Sequence, residues 1–277
     1  MKRRGRWLRG RLAGLALALL VALVAFPFYW ALVASLTPEA RLFERPSLWP
    51  AEPVLDHYRA LWDERAFWIP IRNSLIVAGT TTLLCVSVGS LAAWALARLR
   101  FRGKGAILGS LLAVSLFPQI SLVSPLFLLL RRLRLIDTYP GLILPYLTFA
   151  MPLAVWLLTS FFRQLPPDLE EAAAIDGATR WQTFTRVLLP LAAPGLATTA
   201  ILTFIYCWNE FLFALSFTLG PERQTVPVAI ALFRGQYQVP WGQILAAAVT
   251  ATAPVALLVL AFQRRIVQGL TAGAVKG

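Results

Sequence analysis

Long apolar stretches alternate with short polar segments along the chain. Six stretches reach the length of about 20 residues at which an α-helix crosses a bilayer. They cover residues 12–36, 72–97, 105–130, 141–162, 195–219 and 244–262. The pattern predicts an all-α integral membrane protein with six transmembrane helices, because a helix satisfies its own backbone hydrogen bonds in lipid.

Composition supports this class, and the distribution of charge indicates an orientation. Hydrophobic residues make up 58% of the chain and charged residues 14%. The net charge of +13 does not indicate nucleic-acid binding, because the basic residues lie between the apolar stretches. A basic cluster precedes the first stretch, and cytoplasmic segments carry an excess of Lys and Arg. Both termini are therefore expected in the cytoplasm, with 16 basic residues inside and 10 outside.

This topology divides the chain into three parts. Residues 1–70 form an anchor helix and an external segment, residues 71–262 form a core of five spans, and residues 263–277 form a cytoplasmic tail. A cleaved signal peptide is the alternative for the N-terminus, but its apolar run should be only about 7 to 15 residues long. In the external segment, apolar residues between Val54 and Arg65 recur at helical spacing and predict a short surface helix.

A polar, acid-bearing loop, residues 163–194, separates the fourth and fifth spans. From Glu171 to Pro190 it reads EAAAIDGATRWQTFTRVLLP. Acidic residues after Pro167 suit a helix start, and Gly177 suits a left-handed residue that ends the helix. Thr179 and Gln182 have the spacing of a capping box for a second helix. The loop is therefore predicted to be two short helices projecting into the cytoplasm; the alternative is an amphipathic loop resting on lipid.

These residues resemble the EAA loop of ATP-binding-cassette (ABC) importer permeases. The match rests on Glu171, Ala172 and Ala173, then on Gly177, and then on Val187, Leu189 and Pro190. Val187 stands where the family usually has Ile. The resemblance implies a type I importer permease fold, with a coupling helix that sits in a cleft of the ATP-hydrolysing subunit. The residues implied for this coupling are Glu171, Ala172, Ala173, Asp176, Gly177, Phe184 and Pro190.

Three further stretches are similar to carbohydrate-type permeases, in particular the second membrane subunit of maltose importers. They are Asn73–Leu75, Trp208–Phe211 and the ending Gly269–Gly277. In that family the tail reaches toward the ATPase dimer, which implies a second contact through Gly269, Gly273 and Lys276. The implied partners are a second, homologous permease chain, a dimer of cytoplasmic ABC ATPase subunits, an external solute-binding protein and membrane lipid, but no nucleic acid.

ATP hydrolysis is expected on a separate chain. A phosphate-binding loop needs a Lys between a glycine-rich turn and a Ser or Thr, and none of the three lysines has this context. Cys85 and Cys207 lie within spans, and the single histidine, His57, is expected at the surface without ligand partners. The chain is therefore predicted to form a translocation path, to have no catalytic activity and to bind no metal or cofactor. ATP and magnesium would be bound by the partner ATPase.

The stretch from Trp208 to Phe211 is the candidate substrate path. Glu210 is the only acid within a predicted span, where an ionisable group usually faces protein or a water-filled cavity. Asn209 adds hydrogen-bonding groups, and Trp208 and Phe211 add aromatic faces that suit a sugar. The alternative is that Glu210 pairs with another span and sets helix packing.

The expected function is inward passage of a sugar or oligosaccharide, as the permease subunit of an ABC importer in the cell membrane. Within the class, the alternatives are importers of a glycerol phosphate ester, a polyamine or a peptide, and Arg131, Arg132 and Arg134 would suit an anionic solute. An ion-coupled secondary transporter needs further buried acids or an internal repeat, which the sequence does not have. A third alternative is a purely structural membrane subunit, but it would give the two-helix loop no function.

Overall fold

The structure is a computed structural model that describes residues 2–44, 48–233 and 239–272, with side chains between residues 11 and 263 in these ranges. Every regular element in the described ranges is helical. In chain order the elements are α1 (Lys2–Ser35), a 3₁₀ turn (Glu39–Arg41), α2 (Asp56–Asp63), α3 (Trp68–Arg98), α4 (Lys104–Ser115), α5 (Gln119–Arg132), α6 (Tyr139–Gln164), α7 (Asp168–Ile175), α8 (Arg180–Gln182), a π-helical turn (Thr183–Leu188), α9 (Leu189–Leu191), α10 (Ala193–Trp208), α11 (Leu212–Phe217), α12 (Val226–Ala231) and α13 (Trp241–Ala272).

Among the described residues, four helices are long and apolar enough to cross a membrane. They cover Arg11–Ser35, Trp68–Arg98, Tyr139–Gln164 and Trp241–Gln263. The number rises to six if each of two bent helix pairs is one span, the first being α4 with α5 and the second being residues 180–191 with α10. The predicted all-α, multi-span membrane class is confirmed.

The third predicted span is not a continuous helix. α4 and α5 meet at a bend of 92°. Pro118 lies at the joint with extended backbone, at φ −62° and ψ 116°. Proline has no N–H to donate, and it disfavours helical backbone in the residue before it. The apolar stretch over residues 105–130 is therefore two helices that meet at Pro118.

The fifth predicted span, residues 195–219, also differs from the structure. α10 ends at Trp208, and α11 begins only at Leu212. At its other end, α10 meets residues 180–191 at an angle of 74°. The apolar run is thus divided, and the break falls on Asn209, Glu210 and Phe211, the residues proposed for the substrate path.

The chain divides into two compact units. One takes in Met1–Phe67 and Leu232–Ala253, and the other takes in Trp68–Ala231 and Pro254–Gly277. The second unit holds the main apolar core, where buried residues of α3, α6, α10 and α11 meet. Among them Cys85 is fully buried, and Tyr146 and Phe213 are 1% exposed.

Helices α3 and α6 run parallel through this second unit. At their beginnings the Tyr139 hydroxyl donates to Asn73 Oδ1 at 2.8 Å. At their ends Arg98 donates to the Leu165 carbonyl, the residue after α6, at 2.6 Å. The shared direction agrees with a topology in which the second and fourth spans cross the membrane the same way.

Asn73, at the start of α3, is fully buried and uses both donors of its side-chain amide. Its Nδ2 donates to the carbonyls of Glu222 and Gln224, both at 2.9 Å. Its neighbour Ser74 accepts the first N–H of α12 at 2.8 Å. Asn73 and Ser74 therefore hold the segment between α11 and α12 by its backbone, because a buried backbone group left without a partner is costly.

In the first unit, α2 is the short helix predicted between Val54 and Arg65, and its place on the outer surface stays a prediction. The carboxylate of Glu39 caps the start of α13. It accepts the N–H groups of Trp241 and Gly242 at 2.9 and 2.8 Å. His57 is not at the surface as expected. It is 9% exposed, with its Nε2 3.0 Å from the Thr37 carbonyl, and its ring packs so closely on Gly242 that a Cβ there would clash. The imidazole is thus a packed structural group.

Candidate functional site

The two-helix loop, residues 163–194, is built as the sequence predicts. α7 begins at Asp168 after Pro167, and Asp168, Glu170 and Glu171 occupy its first turn. Carboxylates at this end stabilise the helix, because the free N–H groups there carry partial positive charge. Glu171 is exposed, so its carboxylate is available to a partner as well as to its own helix.

Gly177 ends α7 in a left-handed conformation with φ +78°. The N–H of Gly177 donates to the Ala174 carbonyl at 3.1 Å, and the N–H of Ala178 donates to the Ala173 carbonyl at 2.9 Å. This pair of bonds is the Schellman motif, which satisfies carbonyls at the end of a helix. A Cβ at Gly177 would meet nothing within 4 Å, so backbone conformation and not space makes glycine suitable here.

The second helix begins with the predicted capping box. Thr179 Oγ1 accepts the N–H of Gln182 at 3.3 Å, and Gln182 Oε1 accepts the N–H of Thr179 at 2.8 Å. The chain then continues through the π-helical turn and α9 into α10. The turn was not predicted, since a change of one residue in hydrogen-bond register leaves little trace in the apolar pattern.

Phe184 fastens the two-helix loop to the bundle. It is 3% exposed and lies in a cluster of buried residues comprising Ala93, Leu158, Phe162, Phe184, Leu188 and Ala192. Its ring centroid is 5.0 Å from that of Trp94 on α3 and 6.1 Å from that of Phe162 on α6. The family resemblance implied that Phe184 is a coupling residue. Because it is buried, it packs the loop against α3 and α6 and has little surface to offer a partner.

The remaining predicted coupling residues divide by exposure. Glu171, Ala172, Asp176, Gly177 and Pro190 are exposed, whereas Ala173 is 7% exposed. Two bulky apolar residues that were not selected from the sequence are also exposed, Ile175 at 86% and Trp181 at 59%. No signal in the sequence marks either residue as exposed, because buried Phe184 is also an apolar residue in this polar loop.

A cavity of about 450 Å³ lies between the two short helices. Its lining includes Ala172, Asp176 and Gly177 from the first helix and Arg186 and Val187 from the second part of the loop. The loop therefore presents a concave surface with both charges and apolar side chains at its rim.

Glu210 has a local structural partner. It is 7% exposed, and its two carboxylate oxygens accept the N–H groups of Phe213 and Ala214 at 2.8 and 3.1 Å. The carboxylate thus caps the start of α11, where free N–H groups need acceptors. Asn209 beside it is exposed, and its Nδ2 donates to the Ile205 carbonyl at 2.8 Å.

The two aromatic residues of the predicted path are placed differently from each other. Trp208 is 4% exposed and stacks on Phe204 with ring centroids 5.6 Å apart, whereas Phe211 is 38% exposed. Of the predicted tail contacts, Gly269 lies within α13, and Gly273 and Lys276 lie outside the described residues.

The bundle of long apolar helices and its projecting two-helix loop define the class of polytopic membrane transport subunits. Residues 85–272 match the family described as the binding-protein-dependent transport system inner membrane component. The chain belongs to this family, and it is the membrane permease subunit of an ABC importer.

Relatives in other organisms are similar over nearly their whole length. The trehalose transport system permease protein SugB of Mycobacterium tuberculosis is 48% identical over 94% of this chain and 95% of its own. The trehalose/maltose transport system permease protein MalG of Thermococcus litoralis is 45% identical over 94% and 95%. The sulfoquinovosyl glycerol transport system permease protein SmoH of Agrobacterium fabrum is 42% identical over 95% and 93%.

Solved structures share the fold. A chain of a bacterial ABC transporter that imports the acidic polysaccharide alginate superimposes with a TM-score of 0.79 at 21% identity, over 94% of this chain and 97% of that one. A chain of the MetNI methionine ABC transporter in an inward-facing conformation gives a TM-score of 0.58 at 21% identity, over 75% and 99%. The type I importer permease fold is thereby confirmed.

Proposed function

We propose that this chain and a second, homologous permease chain together form the path through which an ABC importer carries a sugar or glycoside inward. The surface of α7 is the observation that carries the proposal. Ile175 is 86% exposed there, close in sequence to the exposed acid Glu171. A partner that covers this side chain gains stability, because burying apolar surface away from water is favourable.

The partner that covers this surface is a cytoplasmic ATPase subunit, which binds ATP and magnesium itself. Nucleotide-driven closure of its cleft moves the two-helix loop. The Schellman motif at Gly177 and the capping box at Thr179 keep the loop in one shape, so displacement is transmitted without being absorbed by bending. Phe184 passes the displacement to α3 and α6, because it packs against aromatic rings of both.

The solute is a sugar or a glycoside. The relatives at 42% to 48% identity include permeases named for trehalose, for trehalose and maltose, and for sulfoquinovosyl glycerol. Within the path, Asn209 and Phe211 are exposed and offer an amide and an aromatic face to a hydroxylated ring. Glu210 supports them by capping α11, and Trp208 supports them by packing.

Two further contacts complete the assembly. A solute-binding protein delivers the solute at the external face, since the family is defined by dependence on a binding protein. The tail, through Gly269, Gly273 and Lys276, adds a second contact with the ATPase dimer. Arg131 and Arg132, exposed at the end of α5, favour an anionic glycoside as a second candidate solute.

The test begins with co-purification of the tagged chain from native membranes. The parent, Glu171→Ala and Ile175→Asp are compared, with Asp63→Ala, an exposed acid at the end of α2 and outside the loop, as the control. The expected result is that an ATPase and a second permease accompany the parent and the control, and that the ATPase is weakened in the other two. Recovery of the chain alone from the parent in mild detergent would overturn the proposal.

The second step is uptake by the recovered complex in proteoliposomes that contain ATP. Radiolabelled trehalose is the first probe, and an anionic glycoside is the second. ATP-dependent uptake of either is expected once the co-expressed binding protein is added. Binding-protein-dependent uptake of a polyamine or a peptide, and of neither sugar, would leave the importer assignment in place and overturn the proposed solute.

A further inference from the structure

Arg98, the last residue of α3, joins three elements at one end of the bundle. Its Nη2 donates to the carbonyl of Leu165, the residue that follows α6, at 2.6 Å. Its Nε lies 3.2 Å from Glu170 Oε1, in the first turn of α7. The side chain is 11% exposed and that of Glu170 is 32% exposed. One guanidinium therefore contacts the end of α6 and the start of the two-helix loop.

The chemistry of these contacts requires an arginine. The carbonyls of the last helical turn have no partner within their own helix, so the end of α6 needs a donor from outside. A guanidinium presents several N–H groups in a rigid plane and can serve a carbonyl on one side while facing a carboxylate on the other. A Lys ammonium is a single point of charge on a flexible stem, and its one nitrogen cannot hold both positions in this way.

The pair depends on charge more than on hydrogen-bond geometry. Arg98 Nε and Glu170 Oε1 are both buried, and within the described residues neither makes a well-directed hydrogen bond with any group. Each is therefore compensated by the opposite charge 3.2 Å away. Removing one member leaves a desolvated charge without its partner, which is the costly way to break such a pair.

Packing does not replace this link at the first helix of the loop. A cavity of about 610 Å³ lies at this end of α3, lined by Arg98, Glu170 and Arg180 among others. Ring packing between Trp94 and Phe184 fastens the later part of the loop to α3. α7, which carries Glu171 and Ile175, is instead tied to α3 across the cavity by a charged contact.

We propose that Arg98 is a positioning residue that makes the end of α3 move as one body with the end of α6 and with α7. This rests on the proposed function of the loop, in which α7 is the part an ATPase displaces. The α6 end follows α7 directly along the chain, whereas α4, α5 and α6 separate α3 from the loop in sequence. Arg98 thereby links α7 itself to α3, in addition to the packing of Phe184 on Trp94 that links the later part of the loop to α3.

The first readout is coupling in the reconstituted complex, with radiolabelled trehalose as the probe. In Arg98→Ala the ATPase should co-purify as in the parent, because the exposed face of α7 is unchanged. Solute taken up per ATP hydrolysed should fall, because displacement of α7 is then passed less completely to α3. The uptake per ATP of Arg98→Lys should lie between the values of the parent and of Arg98→Ala, and the value of Glu170→Gln should resemble that of Arg98→Ala. Arg100→Ala, an exposed neighbour, is the matched control and should equal the parent.

The second readout needs no solute. Spin labels at Leu91 on α3 and at Asp168 on α7, both exposed positions, report the distance between the two elements. In the parent this distance should be the same in the nucleotide-free and the vanadate-trapped complex. In Arg98→Ala it should shift on trapping, and its distribution should broaden even in the chain alone.

The outcomes separate this inference from the proposed function. Failure of the ATPase to co-purify with the parent counts against the proposed function. The distance distribution in the isolated chain then still tests whether Arg98 links α3 to α7. A distance that changes on trapping in the parent would overturn the inference. So would an Arg98→Ala chain with the parent's distance distribution and the parent's coupling ratio.

Discussion

The conformation of Gly177 allows one prediction to be worked through in energy. Its φ of +78° lies in the left-handed region, and a Cβ there would meet no atom within 4 Å. Gly177→Ala therefore adds backbone strain and no clash. The left-handed conformation costs an L-residue roughly 1–2 kcal/mol relative to the right-handed one. Gly177→Asn should cost less, because asparagine tolerates this region.

The strain should appear as weaker ATPase binding. If the bound loop needs the Schellman turn, the strain must be overcome on binding, and about 1.4 kcal/mol corresponds to a tenfold change in affinity. We expect the dissociation constant of purified ATPase for the chain in lipid nanodiscs to rise roughly 5- to 30-fold for Gly177→Ala, the range that the backbone strain implies. Gly177→Asn should raise it by a smaller factor.

Gly103 provides the control for this experiment. It has φ +90°, and a Cβ there would also meet nothing within 4 Å, but it lies at the start of α4, outside the loop. Gly103→Ala should introduce similar strain and leave ATPase affinity at the parental value. Equal affinity in Gly177→Ala and the parent would refute the argument, as would equal losses in Gly177→Ala and Gly103→Ala.

Three further changes test the interior contacts. Phe184→Ala should destabilise the purified complex by about 3–5 kcal/mol and lower its thermal midpoint, whereas Trp181→Ala, at an exposed position, should lower the midpoint much less. Similar midpoints in the two variants would contradict the role of Phe184 in attaching the loop to the bundle. Glu210→Gln leaves one acceptor oxygen for two N–H groups, so it should lower the thermal midpoint and leave the KM for solute unchanged. A raised KM at the parental midpoint would instead indicate that Glu210 contacts the solute. Asn73→Asp removes both side-chain donors to backbone carbonyls and should lower the thermal midpoint more than Tyr139→Phe does. A larger loss in Tyr139→Phe would refute the role of Asn73 in holding the backbone before α12.

Local sequence signals predicted the two-helix loop well. The positions of Pro167, Gly177, Thr179 and Gln182 determine where its helices start and stop, and all of these signals act within four residues. The class of the protein followed from the length and number of apolar stretches for a similar reason, since each span satisfies its own backbone.

Tertiary structure decided what the same pattern could not show. The 92° angle of the bend at Pro118 and the break after Trp208 lie inside apolar runs, where hydropathy is the same on both sides. The roles of Glu210 and Asn73 depend on backbone groups that they meet only in the folded chain. Nor does the sequence distinguish exposed Ile175 from buried Phe184, because both are apolar residues in a polar loop.

The sequence by itself determined the membrane class, the two-helix loop and its helix ends, because these depend on hydropathy and on hydrogen bonds between near neighbours. Only the tertiary structure decided which side chains hold the loop and which are left for a partner. Arg98 and Glu170 are 72 positions apart in the chain, and their contact exists only because α3 and α6 run parallel and end side by side.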